Sequence, residues 1–211
     1  MNRWYKAALV MVTAALVLAG CGGNTAAPEK SAAPASPAAS SSAAADTKDS
    51  AQKWYQKGQA AYQEFRLDEA IDCCSKAIEE DPNLALAYST RAAARALAGQ
   101  AEEGLKDSEK AIALAPDSAQ VYYDQALVLK VLKRYEEAIA AFKKVLAKDD
   151  KNTWSYYGIA TIYGDMGDAP NAVAYLERAV ACGGDAVKEA AREQAHFDSI
   201  REDFKFQELI K

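Results

Sequence analysis

Residues 54–82, WYQKGQAAYQEFRLDEAIDCCSKAIEEDP, start on an aromatic side chain and end on a proline, and their pattern returns three more times at intervals of 34 residues. Trp54, Tyr88, Tyr122 and Tyr156 fall in one column of that register. Small residues fill others: Gly58, Ala92, Ala126 and Ala160; Ala70, Gly104, Ala138 and Ala172; and, with one valine, Ala77, Ala111, Val145 and Ala179. Aliphatic side chains align as Ile71, Leu105, Ile139 and Val173 and again as Ile78, Ile112, Leu146 and Val180, while Lys76, Lys110, Lys144 and Arg178 form a basic column. A unit of two helices that meet at small residues cannot shield its own apolar flank, so successive copies must stack. The pattern therefore predicts an all-α chain without strands.

These columns resemble the tetratricopeptide repeat over residues 51–184. The resemblance implies an α-solenoid of four helix-turn-helix repeats, at 51–84, 85–118, 119–152 and 153–184, followed by a capping helix and tail at 185–211. Expected helix pairs run from about Ala51 to Glu64 and Asp68 to Glu80, Ala85 to Ala98 and Ala101 to Leu114, Ala119 to Leu132 and Tyr135 to Ala147, and Thr153 to Met166 and Ala169 to Ala181. Asp68, Asp117 or Ser118, and Asp168 are the expected N-caps, Gly99 a left-handed C-cap, and Pro82 and Pro116 the stops. Pro170 fits a first turn, where its missing N–H costs nothing. Asp150 replaces the closing proline in the third repeat. Asp185 to Ala195 reads as the cap, and Phe197, Ile200, Phe206, Leu209 and Ile210 as the side chains that cover the last open end of the core. The tail resembles the closing segment of other such arrays, with Phe204 where a proline is usual.

Ahead of the repeats, Arg3 and Lys6 precede an uncharged run from Ala7 to Ala19, which fits a signal-peptide core and falls short of the roughly 20 residues of a membrane span. Leu18-Ala19-Gly20-Cys21 closes it and resembles the lipobox of bacterial lipoproteins. That resemblance implies cleavage after residue 20, lipidation of Cys21, and a membrane anchor of several acyl chains. The alternative is an ordinary signal peptide with an incidental cysteine. Gly22 in place of aspartate leans, by the same resemblance, toward the outer membrane of a Gram-negative cell; with a single membrane, its outer face is meant. Residues 22–50 are mostly Ala, Ser, Pro, Gly and Thr, and read as a disordered linker. As a flexible coil it would reach about 30 Å.

Composition excludes several functions. The chain carries a net charge of −5, and residues 51–211 carry −6, which argues against a nucleic-acid partner. The single histidine, His196, sits beside a phenylalanine in the capping segment, where packing or surface exposure explains it better than catalysis. No nucleophile has a local base partner and no phosphate loop follows a strand, so no catalytic residue, cofactor or metal site is expected. Cys74 shares a column with Ser108, Phe142 and Leu176 and is expected to be a buried apolar residue. Cys73 and Cys182 lie three repeats apart, roughly 25 Å, too far for a disulfide. A redox or metal role for these thiols stays open, although no CxxC spacing supports it.

What remains is the concave surface that stacked helix pairs leave along their first helices. By resemblance, groove positions are one and five residues after the aromatic column: Tyr55, Ser89, Tyr123 and Tyr157, then Gln59, Ala93, Leu127 and Thr161. Neighbouring columns add Tyr62, Lys130 and Trp154. The tyrosines suit an interface, or alternatively pack between adjacent helices. The lysines and asparagines with which chaperone-binding relatives clamp a terminal carboxylate are absent from these columns. The sequence thus points to a lipid-anchored envelope protein that binds another envelope polypeptide as an adaptor or assembly factor. Lipoproteins of similar build assist pilus or secretin assembly or recruit peptidoglycan hydrolases. The rival reading is a lipoprotein that holds a glycan or small molecule in the aromatic groove. Oligomeric state is not legible.

Overall fold

The computed structural model describes residues 39–211, with side chains from residue 47. Cys21, the signal-like segment and residues 22–38 of the expected linker lie outside the described residues. Four helix pairs follow one another: α1 (Ala39–Gln63) with α2 (Leu67–Glu80), α3 (Ala85–Leu97) with α4 (Ala101–Leu114), α5 (Ala119–Val131) with α6 (Tyr135–Leu146), and α7 (Thr153–Asp165) with α8 (Ala169–Gly183). A cap of α9 (Asp185–Glu193), a 3-10 turn (Ala195–Ile200) and α10 (Phe204–Ile210) completes the chain. Every described element is helical.

Helix α1 begins at Ala39, not near Ala51, so residues 39–50 continue a helix where linker was expected. Their alanines are strong helix formers, and a helix already nucleated by packing at Ala51 extends upstream at little cost. A second difference concerns α2, whose N-cap is Arg66; Asp68 lies inside the first turn with Glu69, where both face the positive end of the helix dipole. The other caps match their residues. Ser118 Oγ accepts from Val121 N, Asp168 from Asn171 N beside Pro170, and Asn152, not anticipated, from Ser155 N.

The helix-to-helix turns share one geometry in all four repeats. Phe65, Gly99, Lys133 and Gly167, one register position, all have positive φ. After each, the next N–H donates to a carbonyl five residues back, as Gln100 N does to Arg95 O at 2.8 Å and Arg134 N to Leu129 O at 2.9 Å. This Schellman closure turns the chain sharply enough for the second helix to fold back on the first.

The small columns mark where paired helices cross. Ala92, Ala126, Ala160, Ala70, Ala138 and Ala172 are fully buried. At Gly104 a Cβ would lie 2.7 Å from the Ala92 carbonyl oxygen, so the α3–α4 backbones touch. The aromatic and basic columns pair across three of the four crossings: Lys76 Nζ stands 4.4 Å from the Trp54 ring, Lys144 Nζ 4.5 Å from Tyr122, and the Arg178 guanidinium 5.8 Å from Tyr156, while over Tyr88 the cation is Arg91 of the same helix. Such contacts add modestly at exposed sites. The cap behaves as anticipated, with Phe197, Ile200 and Phe206 buried against α7 and α8 and Leu209 and Ile210 packed around them. Asp203 caps α10 in place of the usual proline stop, and Phe204 is left 72% exposed.

Candidate functional site

Along the first helices of the repeats, each register position one after the aromatic column meets the position two after it in the following repeat. Tyr55 hydrogen-bonds Thr90. Ser89 Oγ donates to Asp124 Oδ2 at 2.5 Å. Opposite Tyr123 the ladder has Gly158, and the vacated space is taken by Phe142, whose ring a Gly158 Cβ would strike at 2.5 Å and which meets Tyr123 edge-on at 5.6 Å. Tyr157 stacks edge-on against Phe197 of the cap at 5.9 Å. Stacking therefore consumes part of the expected groove. Tyr55 and Ser89 are buried between first helices and do not reach the open surface, while Gln59 is exposed but stands apart from the cavity described next.

Seven of the expected residues do converge. Tyr62, Tyr123, Leu127, Lys130, Trp154, Tyr157 and Thr161 line one concave cavity of about 540 Å³. It begins at α1 with Tyr62 and ends at the cap with Gln194 and His196, so every repeat contributes to its wall. Sequence reasoning missed Leu97, Val131 and Asp165, which also line it and share the column nine after the aromatic one. The signal was present: two aliphatic residues recur there at the solvent-facing end of a helix. His196 carried no such signal, because the closing segment has no repeat register to place it.

The tetratricopeptide-repeat profile matches the chain over residues 51–84, 89–153 and 132–195. The chain belongs to the tetratricopeptide-repeat family. Its fold is similar to that of PilF from Pseudomonas aeruginosa (TM-score 0.61, 20% identity, 79% of this chain and 75% of that one). It is likewise similar to TTC0263, a thermophilic tetratricopeptide protein of Thermus thermophilus (TM-score 0.61, 19% identity, 71% and 85%). The first tetratricopeptide domain of Spaghetti, bound to an HSP90 peptide, matches over 56% of this chain and 97% of its own (TM-score 0.52, 24% identity). No curated protein matches the chain in sequence.

Within this tetratricopeptide cavity the polar groups are few and distinct. Lys130 Nζ donates to Thr161 Oγ1 at 2.7 Å, and the Thr161 hydroxyl donates in turn to the Gly158 carbonyl at 2.8 Å. Burial pushes the Lys130 ammonium down to about 8, against the opposing field of Asp165. Asp165 Oδ1 is itself engaged by His196 Nδ1 at 2.7 Å, a pair that ties the closing segment to the end of α7. The hydroxyls of Tyr62 and Tyr157 are buried without a hydrogen-bond partner among the described residues. Burial raises the pKa of both, and of Tyr123, far above the usual phenol value, so all three are neutral donors.

The cysteines lie elsewhere. Cys73 and Cys74 are buried, and burial with the neighbouring Cys73 pushes the Cys74 thiol up to about 12, which keeps it protonated and unreactive. Cys182 is exposed at the end of α8. Among the described residues no three His, Cys, Asp or Glu side chains are placed to share a metal ion.

Proposed function

We propose that this tetratricopeptide-repeat protein is an extracytoplasmic adaptor or assembly factor of the bacterial envelope, anchored by lipid at Cys21, whose concave cavity holds a segment of another envelope polypeptide without chemical turnover. The observation that carries the binding half is the cavity itself, to which every repeat contributes and whose wall is aromatic. Tyrosine and tryptophan give large contact area at low conformational cost, as interface hot spots do. A structural neighbour held with an HSP90 peptide supports a peptide as the class of occupant. The anchoring half rests on Leu18-Ala19-Gly20-Cys21 after an apolar run.

The two halves are tested separately. In cells expressing the full chain, Cys21→Ser is expected to abolish incorporation of labelled palmitate and move the protein from membranes to the soluble fraction. Unchanged labelling would remove the anchor. A photo-crosslinking residue at Leu127 is expected to trap a defined polypeptide that the same residue at Lys143, on the outer side of α6, does not. Equal trapping at both positions would remove the cavity from the reading. The aromatic wall also suits a sugar ring, and a Leu127 position that traps no polypeptide but is protected by an envelope glycan would favour that second reading.

A further inference from the structure

The cavity is electrically unlike the protein around it. The chain is acidic overall, at −5, yet the charges lining the cavity are Lys130, Lys133 and an Asp165 already engaged by His196. Lys130 presents three N–H donors and uses one, on Thr161. Among the described residues no carboxylate lies within salt-bridge distance of it, and Asp165 acts on it only from farther off. The Tyr62 and Tyr157 hydroxyls add two more unsatisfied donors to the same wall, and Tyr157 is only 6% exposed. Donors outnumber acceptors here, since Asp165 is the one carboxylate of the wall and holds one oxygen on His196, so a partly buried ammonium and two unpartnered hydroxyls define a site that an incoming anion completes.

We infer that the cavity takes the carboxylate of an internal Asp or Glu side chain of an extended partner segment on Lys130, while Tyr123 and Trp154 hold an apolar neighbour of that acid. This rests on the cavity being the partner-binding surface. Three features choose this occupant. The columns that clamp a chain terminus in chaperone-binding relatives hold Tyr55, Ser89, Tyr123 and Tyr157, and Gln59, Ala93, Leu127 and Thr161, none of them cationic, whereas Lys130 sits three residues beyond Leu127, outside both columns. Cavity walls run from α1 to the closing segment, so an extended segment laid along them meets every repeat. No arginine lines the cavity among the described residues, and a phosphate dianion would lack the forked donors it favours. Lys133 strengthens the case. It also lines the cavity and adds a second positive charge to its wall.

The probe is a library of short random peptides displayed on phage with both ends fused, so that the only carboxylates are side chains. Selection on the full chain is expected to enrich Asp or Glu about tenfold at one position next to an aromatic or aliphatic residue, the selectivity of one charge-assisted pair. Lys130→Met should lose that enrichment and Lys130→Arg keep it. The most enriched peptide and its acid-to-amide analogue should differ about tenfold in affinity for the natural chain and not at all for Lys130→Met, with circular dichroism confirming that the variant folds. Peptides that need Trp154 but show no acid, or an acid preference that survives Lys130→Met, overturn the inference and leave the cavity as the binding surface. Peptides that bind Trp154→Ala as well as the natural chain overturn both.

Discussion

Lys133 and Asp124 each hold a state their chemistry resists. A side chain in the left-handed region costs about 1–2 kcal/mol, which glycine avoids at the expense of a looser unfolded chain. Lys133→Gly should therefore raise stability on the order of 0.5–1 kcal/mol, read as a higher urea midpoint at constant slope. An unchanged midpoint would mean that Lys133 is not strained. Asp124 is 5% exposed, and burial pushes its carboxyl up to about 6 even though Ser89 and Gln120 donate to it. The phenols of Tyr55, Tyr62 and Tyr123 around it stay neutral through this range. Its unfolded value is about 3.9, so between pH 4 and 6 the folded chain binds more protons than the unfolded one. Stability attributable to Asp124 is therefore full below about pH 4 and declines as pH rises toward 6. Asp124→Asn keeps a hydrogen bond with Ser89, whose hydroxyl can accept as well as donate. It should flatten that slope and add on the order of 2 kcal/mol at pH 7, measured by urea unfolding at a series of pH values. A slope that persists in the variant would assign the titration to another group.

At the scale of elements, the most exacting fit is between α7 and the closing 3-10 turn. A Cβ at Gly164 would lie 2.4 Å from the His196 carbonyl oxygen and 2.9 Å from the Phe197 ring, and Ser199 Oγ donates to the Gly164 carbonyl at 2.5 Å. Gly164→Ala should push the closing segment off α7 at a cost of about 1–3 kcal/mol, with proteolytic cleavage rising first within residues 195–211. Cleavage that stays as slow as in the natural chain would show that the segment shifts without detaching. Helices α2 to α8 were legible within about two residues, because their ends carry local chemistry: Ser118, Asp168, Gly99 and the prolines act on neighbouring backbone. The start of α1 was not, because Ala39 to Ser50 holds helix formers and turn formers in one run and no stop signal between them. In the cavity, Tyr123, Leu127 and Thr161 followed from the groove columns that the family resemblance implies, and Lys130 from a column near them. Tyr55 and Ser89 share that register and are nevertheless buried, because their fate depends on Thr90 and Asp124 one repeat later, a pairing across the stack that no single repeat encodes.

The whole molecule is built unevenly along its axis. Among the largest fully buried side chains, all but Cys74 lie at or beyond Val121, including Phe142, Ile159, Ile162, Leu176, Phe197 and Phe206. The first two repeats are packed instead by Ala61, Ala70, Ala77, Ala92, Ala94 and Ala111, and their interior includes the ion cluster in which Arg91 and Arg95 both reach Asp107, at 2.8 and 2.7 Å. Burying a methylene is worth about 0.8 kcal/mol, whereas a buried ion pair does little more than offset its own desolvation. In a stack whose stability is a sum of repeats and neighbouring interfaces, the first half must open more readily than the second. Native-state hydrogen exchange in low denaturant should therefore find α1 to α4 exchanging through partial openings, while α7 and α8 exchange only with global unfolding. Uniform protection along the chain would contradict this. The consequence reaches the cavity, because Tyr62 of α1 stands in the same wall as Thr161 of α7. A segment that touches both is bound only while α1 is docked, so its binding energy adds to the stability of the half that lacks it. Saturating the protein with a cavity-binding peptide should slow exchange most in α1 and α2, and least in α8, where little remains to be gained.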